Sequence, residues 1–572
     1  MHPPPLLEIN NLCVDFESDA GLVRAVDRVS LVLQKGQTLG IVGESGSGKS
    51  VTALSVMRLM ADAGKISDGE IWFSPDGIKN IDLLNASNLV LQQIRGNNIS
   101  MIFQEPMTSL NPVQKCGRQV CESMIIHEKV SFKDAKNRTL ELFDEVLLPR
   151  PYSVFNSYPH QLSGGQKQRV MIAMAVSCNP VLLIADEPTT ALDVTVQKSI
   201  LAQMKRLQQK FYMGMIFISH DLGVVSEVAD TVAVMHRGTI VEYGTSLQIF
   251  KHPTHPYTQG LIACRPGLTG RPEKLPVVSD FLNKQPSEKP FKIKEITPEK
   301  RALHQKQLYS KAPLIKVKGL KVYFVENASW FYRHKQYVKA VDDVSFDVYQ
   351  GETLGLVGES GSGKTTLGRA LLRLVESNEG QISYDGYDLQ KLRERDLRLL
   401  RRNMQIIFQD PYSSLNPRIT IGNAIAEPMR VHGLYGSDKK RKQKVQELLD
   451  RVGMQPEHYR RYPHEFSGGQ RQRACIARAL ALNPSFIICD ESVSALDVSI
   501  QAQVLNLLNE LKKDFGFTYI FISHDLSVVR YMSDRIMVMQ KGKIVEIGET
   551  DRVVSSPANE YTRALIEAIP KK

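Results

Sequence analysis

The chain has seven cysteines in 572 residues, Cys13, Cys116, Cys121, Cys178, Cys264, Cys475 and Cys489, scattered with no C-x-x-C spacing. That spacing argues against a disulfide framework or a zinc site and favours buried or idle thiols of the kind a reducing cytosol keeps. No apolar run approaches the roughly 18–20 residues that cross a bilayer. The start, Met1-His2-Pro3-Pro4-Pro5-Leu6-Leu7, lacks the basic and apolar regions of a signal peptide. The sequence therefore predicts a chain that stays in the cytosol and acts on a membrane only through partners. Hydrophobic residues at 42% and charged residues at 23% are globular values, and the length predicts two to four domains.

The formal net charge is +11. Nearly half of that excess lies in residues 266–312, where Arg271, Lys274, Lys284, Lys289, Lys292, Lys294, Lys300, Arg301, Lys306 and Lys311 face only Glu273, Asp280, Glu288, Glu295 and Glu299. Six prolines (Pro266, Pro272, Pro276, Pro286, Pro290, Pro298) interrupt this segment, and proline breaks helices. A solvated basic linker explains the charge as well as a binding surface does, and no nucleic-acid partner is expected.

The most informative feature is repetition. VGESGSGKS at 42–50 returns as VGESGSGKT at 357–365, and FQEPMTSLNP at 103–112 as FQDPYSSLNP at 408–417. YPHQLSGGQKQR at 158–169 returns as YPHEFSGGQRQR at 462–473, ADEPTTALDV at 185–194 as CDESVSALDV at 489–498, and FISHDL at 217–222 at 521–526. The offset falls from 315 at Lys49 and Lys364 to 304 at His220 and His524. Most of that shortfall is expected around Asn80 to Asn98. Two homologous domains, 1–265 and 313–572, are predicted on either side of the 266–312 linker. Each reads as α/β: apolar strand runs at 38–42, 181–185 and 214–219 alternate with helices, the first at 51–60. Such runs suit a mostly parallel sheet covered on both faces, with function at the carboxyl ends of its strands.

Gly43-Glu44-Ser45-Gly46-Ser47-Gly48-Lys49-Ser50 satisfies G-x-x-x-x-G-K-[ST], as does Gly358-Glu359-Ser360-Gly361-Ser362-Gly363-Lys364-Thr365. The glycines let backbone N–H groups turn towards phosphates, with the following helix start, including Val51 and Thr366, presenting its positive end. Lys49 and Lys364 reach the β/γ-phosphates, and Ser50 and Thr365 offer a hydroxyl to Mg²⁺. A bare glycine turn is the competing reading, and the position between strand and helix argues against it. Asp186 and Asp490 end apolar strands, where a carboxylate holds Mg²⁺. Glu187 and Glu491 follow and would polarise the attacking water. An acidic pair after a strand also serves as a helix cap, but downstream of a phosphate loop the catalytic reading is favoured.

Ser163-Gly164-Gly165-Gln166 and Ser467-Gly468-Gly469-Gln470 narrow the class, because here the chain resembles the ABC ATPase family over nearly all of both halves. The resemblance implies two phosphate-loop NTPase domains with antiparallel β and helical subdomains, paired head to tail within the chain around two ATP molecules. Lys49 would then share a site with Ser467 and Gly469, and Lys364 with Ser163 and Gly165. It further implies that Gln104 and Gln409 contact Mg²⁺ and relay to membrane subunits, and that Asp193 and Asp497 link the two sites. His220 and His524 would contact the γ-phosphate, and Phe16 and Phe324 would stack on adenine, although a strand phenylalanine reads equally as core. Ser492 replaces the proline common after the catalytic glutamate, a position that supports the loop, so both sites are expected to hydrolyse ATP.

The S-L-N-P runs at 109–112 and 414–417, Tyr-Pro-His before each signature, and His255-Pro256-Tyr257-Thr258 with its weaker echo Glu560-Tyr561-Thr562-Arg563 resemble the peptide and nickel importer branch. The fused arrangement is most similar to ATPases of bacterial glutathione importers, with dipeptide, oligopeptide and microcin systems close alternatives. That implies two membrane permease subunits, an external substrate-binding protein and a peripheral place on the cytoplasmic face of the bacterial inner membrane. Only Cys264 lies where some relatives carry an iron–sulfur cysteine cluster, so no cluster is expected. A soluble ribosome-associated twin-ABC ATPase is the alternative of another class; such proteins usually join their domains by a long charged helical hairpin, which the linker prolines disfavour.

Overall fold

The computed structural model describes residues 4–18, 21–61, 63–104, 109–189, 192–267, 270–283, 293–325, 337–494 and 496–569. They fall into two compact units, the first from described residues within 4–262 and 278–283, the second from those within 263–277 and 293–569.

In the first unit a six-stranded sheet runs in the order Thr239–Thr245, Thr231–His236, Thr38–Val42, Gly214–Ser219, Leu182–Asp186, Ile99–Ile102. All neighbours are parallel except the first pair. Its central strands are buried along their whole length, which is why they read as unbroken apolar runs. The pairings Val42↔Ser219 and Asp186↔Ile218 bring the carboxyl ends of three strands to one edge. A four-stranded sheet, Gly21–Leu33, Leu7–Ser18, Gly64–Phe73 and Ile81–Asp82, is antiparallel throughout. One buried cluster joins the two sheets, with Ile9, Val29 and Phe73 meeting Ile41, Ile184 and Ile218. Helices Cys116–Glu128, Phe132–Glu145 and Gly164–Val176 fill the stretch between Ile99–Ile102 and Leu182–Asp186.

The second unit repeats this plan, with Met404–Ile407, Phe486–Asp490, Thr518–Ile522, Thr353–Val357, Arg535–Gln540 and Lys543–Glu549 in one sheet. The other sheet holds Tyr337–Tyr349, Pro313–Val325, Glu379–Tyr384 and Tyr387–Asp388. The expected strands at 38–42 and 214–219 form with those bounds, while the first helix starts earlier, at Lys49. The extra length of the first half lies elsewhere than expected. Lys49 to Ile81 is nine residues longer than Lys364 to Tyr387, so the excess sits in the longer strand Gly64–Phe73 and its turn.

The described parts of 266–312 are more ordered than a solvated linker. Pro298 opens the helix Pro298–Tyr309 at its first turn, where a missing N–H costs nothing. Leu275 is buried, and its N–H and C=O both bond the Asn506 side chain, at 2.9 and 2.8 Å. Arg271 donates to Tyr531 O, Arg301 pairs with Asp551, and Lys294 and Lys300 both pair with Glu273. Much of the positive charge on the described residues of this segment is thus spent on ion pairs and on packing within the second unit. Pro286 and Pro290 lie outside the described residues.

Candidate active site

Each phosphate loop sits between a buried strand and a helix. Gly43 has φ 154°, and a Cβ there would lie 2.2 Å from the carbonyl oxygen of Met235; Gly358 has φ 152° and the same 2.2 Å approach to Met539. Only glycine fits so close to backbone. Gly48 and Gly363, at φ 99° and 102°, lead into helices Lys49–Met57 and Lys364–Leu371 without a side-chain cap, leaving first-turn N–H groups for an anion. The buried Lys49 ammonium donates to Gly43 O and Glu44 O at 2.9 and 2.8 Å, and Lys364 to Gly358 O and Glu359 O at 2.7 and 2.8 Å. Val51 packs its side chain on the core cluster, which leaves its backbone for a ligand, and Thr366 is half-buried.

Beside each loop stand the acids. Ser50 Oγ donates to Asp186 Oδ1 at 3.1 Å, and Thr365 Oγ1 to Asp490 Oδ1 at 3.0 Å. Burial raises both aspartates above their ordinary range, only partly offset by the hydroxyl bond. A divalent cation would favour their charged form, and the paired hydroxyl and carboxylate are the hard oxygen donors that Mg²⁺ takes. The residues therefore fit the ion.

Glu187 and Glu491 follow with left-handed backbones, φ 48° and 46°, a conformation that costs about 1–3 kcal/mol away from glycine. The neighbouring strand holds it: Glu187 N donates to Ile218 O and Glu491 N to Ile522 O, both at 3.0 Å. This turn aims each carboxylate at its partners. Gln104 Nε2 reaches Glu187 Oε2 at 3.2 Å and His220 Nδ1 reaches Oε1 at 3.1 Å. In the second unit Gln409 Nε2 and His524 Nδ1 both reach Glu491 Oε2, at 2.9 and 3.3 Å. Burial pushes the Glu491 carboxyl up, but the His524 bond and charge, with Lys364, outweigh it and leave it below its ordinary value. Gln104 and Gln409, expected at the metal, thus bond the glutamates in this structure.

Ser163 and Ser467 cap their helices by accepting from Gln166 N and Gln470 N, while the glutamine side chains accept from the serine N–H at 3.0 and 3.1 Å. These reciprocal boxes fix Gly164, Gly165, Gly468 and Gly469 at helix starts. Asp193 and Asp497 stand just before helices Val194–Phe211 and Val498–Phe515. Phe16 is half-buried and packs on the first core cluster, whereas Phe324 is 46% exposed. Among the described residues no His, Cys, Asp and Glu side chains gather in threes as a metal cluster, and all seven cysteines are buried. No helix among them is long and apolar enough to cross a membrane.

Sequence reasoning missed two groups at the loops. Tyr257 and Tyr561 place their hydroxyls 3.2 and 2.9 Å from the Glu44 and Glu359 amides. Their motifs were visible, but a resemblance to a branch gives no contact.

The ABC transporter family description matches residues 26–190 and 341–494, and that of the oligopeptide/dipeptide transporter C-terminal region matches 241–288 and 545–572. The chain is 49% identical over 571 residues to the glutathione import ATP-binding protein GsiA of Salmonella choleraesuis (strain SC-B67), covering 99% of this chain and 89% of that protein. It is 50% identical over the same length, with the same coverage, to the protein of that name from Escherichia coli (strain K12). A solved dimer of the ATP-binding cassette MJ0796 with ADP and Pi is 27% identical over 41% of this chain and 98% of that one, at TM-score 0.38. The chain belongs to the ABC transporter family, as an ATP-hydrolysing protein of two fused cassettes that each carry an importer-type C-terminal region.

Proposed function

We propose that this chain energises a binding-protein-dependent importer for glutathione or short peptides. The observation that carries the reading is the doubled site: phosphate loop, loop hydroxyl on a strand-end aspartate, and a glutamate braced by glutamine and histidine, repeated in both cassettes. The nearly full-length likeness to glutathione import ATP-binding proteins supports the substrate. Dipeptides, oligopeptides, microcin-like peptides and nickel are the alternatives within the branch.

The loop amides and Lys49 or Lys364 bind the β- and γ-phosphates. Ser50 with Asp186, and Thr365 with Asp490, would hold Mg²⁺, which when bound neutralises phosphate charge. Glu187 and Glu491 take a proton from water as its oxygen attacks the γ-phosphorus, and the bond to the β-phosphate oxygen breaks to give ADP and phosphate. His220 and His524 orient those glutamates and meet the γ-phosphate. The signature of each cassette completes the site of the other, so ATP closes the pair and hydrolysis reopens it. That motion passes to two permease subunits on the cytoplasmic face of the bacterial inner membrane. An external binding protein delivers the substrate.

Uptake of labelled glutathione beside a labelled dipeptide tests this in a strain lacking the gene. Glutathione uptake is expected to disappear, to return with the intact gene, and to stay absent with Glu187→Gln/Glu491→Gln. Normal glutathione uptake with lost dipeptide uptake would move the assignment to dipeptides. Persistence of both would overturn the importer reading.

A further inference from the structure

Two tyrosines from outside the phosphate loops reach both of them in the same way. Tyr257 is the second residue of the helix Pro256–Ala263 after the last strand of the first cassette, and Tyr561 the second residue of Glu560–Glu567 at the matching place in the second. Glu44 N–H donates to the Tyr257 hydroxyl at 3.2 Å and Glu359 N–H to the Tyr561 hydroxyl at 2.9 Å. Tyr257 is fully buried, its ring stacked 4.1 Å from His236.

The peptide plane is what matters. The Glu44 N–H belongs to the same rigid peptide unit as the Gly43 carbonyl, and that carbonyl accepts from the Lys49 ammonium. The hydroxyl therefore grips one end of the peptide whose other end holds the phosphate-binding lysine. In the second loop Tyr561, the 358–359 peptide and Lys364 repeat the arrangement. An N–H that is itself bonded makes its carbonyl a stronger acceptor, and a peptide fixed at both ends cannot rotate.

The tyrosines are positioned from within the same C-terminal elements. His255 Nδ1 caps Tyr257 N–H at 3.1 Å, and Asn559 Oδ1 caps Tyr561 N–H at 2.8 Å. Glu242 accepts from Thr254 N–H and His255 N–H, and Glu546 from Ala558 N–H and Asn559 N–H. Helix, cap and carboxylate anchor all recur, although the cap changes from imidazole to amide.

We propose that Tyr257 and Tyr561 are positioning residues for ATP: through the 43–44 and 358–359 peptides they preset the loop and its lysine for the phosphates. This rests on the phosphate-loop reading above and makes the region after each cassette part of its nucleotide site.

The test uses the full-length chain with Tyr257→Phe, Tyr561→Phe and both, which keep the rings and delete only the hydroxyls. Loss of one such bond is expected to raise the Kd and KM for ATP about three- to tenfold per site, with kcat within twofold and little change in Tm. Thr139→Val, which deletes a buried hydroxyl bonded within helix Phe132–Glu145 and away from the loop, serves as the structural control. If Tyr257→Phe does not fold, Tyr561→Phe on the half-buried ring carries the same measurement. Unchanged ATP affinity, or a change no larger than in the Thr139→Val control, would overturn the proposal. Lys49→Ala/Lys364→Ala is run beside them: nucleotide binding untouched there would sink the loop assignment itself, whereas binding lost there but kept in the phenylalanine variants sinks only the tyrosine role.

Discussion

The two cassettes share motifs, sheets and loop geometry, yet they hold the glutamate differently. In the first, Gln104 and His220 take one carboxylate oxygen each. In the second, Gln409 and His524 share Oε2. The Glu187 side chain is also the more buried, 8% exposed against 14% for Glu491. Each carboxylate oxygen carries two lone pairs, so both glutamates can still accept from water, but only Glu491 keeps one oxygen, Oε1, clear of the glutamine and the histidine. The difference teaches that intact motifs do not imply identical surroundings, and it predicts that Glu491 is the readier of the two to accept from water.

The sharpest test removes both bases. Glu187→Gln/Glu491→Gln is expected to lower steady-state ATP hydrolysis about 10²- to 10⁴-fold while nucleotide binding survives, as read by phosphate release beside a binding titration. The single variants then break or keep the comparison: Glu491→Gln alone should remove the larger share of turnover, and a larger loss from Glu187→Gln would reverse the assignment. The pH profile sharpens it further. Glu491 is held below its ordinary value because the His524 bond and charge, with Lys364, outweigh burial. Its interactions therefore stabilise the fold above the ordinary carboxylate pKa and are lost as pH falls through the depressed one. In a Glu187→Gln background, His524→Ala leaves burial dominant, so the acid limb of kcat/KM should move to higher pH.

The segment around Leu275 belongs to the second unit and adds to that unit's packing. Asn506 is buried and satisfies both polar groups of the Leu275 backbone. Asn506→Ala strands an N–H and a C=O, which costs about 1–3 kcal/mol each when buried. Thermal unfolding should show the second unit's transition lowered and the first unit's in place.

The strands and the loops were legible because each rests on local chemistry: an apolar run, and a glycine turn between strand and helix. The left-handed Glu187 and Glu491 were not, since nothing in Asp-Glu announces a backbone held by Ile218 and Ile522 across the sheet. The extra length in Gly64–Phe73 was misplaced because that strand alternates weakly and ends in a Ser-Pro-Asp-Gly turn. The helix Pro298–Tyr309 was obscured by reading Pro298 as a breaker instead of a first-turn residue. Tyr257 was recognised and misjudged for another reason, because its partner Glu44 lies 213 residues away.

The smallest expected effect comes from Ser492, one of the two residues, with Cys489, that set Cys489-Asp490-Glu491-Ser492 apart from Ala185-Asp186-Glu187-Pro188. Proline constrains the residue before it, so its fit depends on Glu491. Glu187 precedes Pro188 at φ 48°, and Glu491 sits at φ 46°, so the first cassette already shows that this backbone accepts proline. Ser492 is buried, and its hydroxyl has no partner among the described residues beyond a weak contact with the Cys489 thiol, so the ring replaces a group that contributes little. Proline at a compatible position stabilises by about 0.4–1 kcal/mol, mainly by restricting the unfolded chain. Ser492→Pro should therefore raise the second unit's Tm slightly and leave kcat unchanged. A fall in turnover would mean that Ser492 tunes the Glu491 turn, and that the second cassette's readier base depends on the residue the first one lacks.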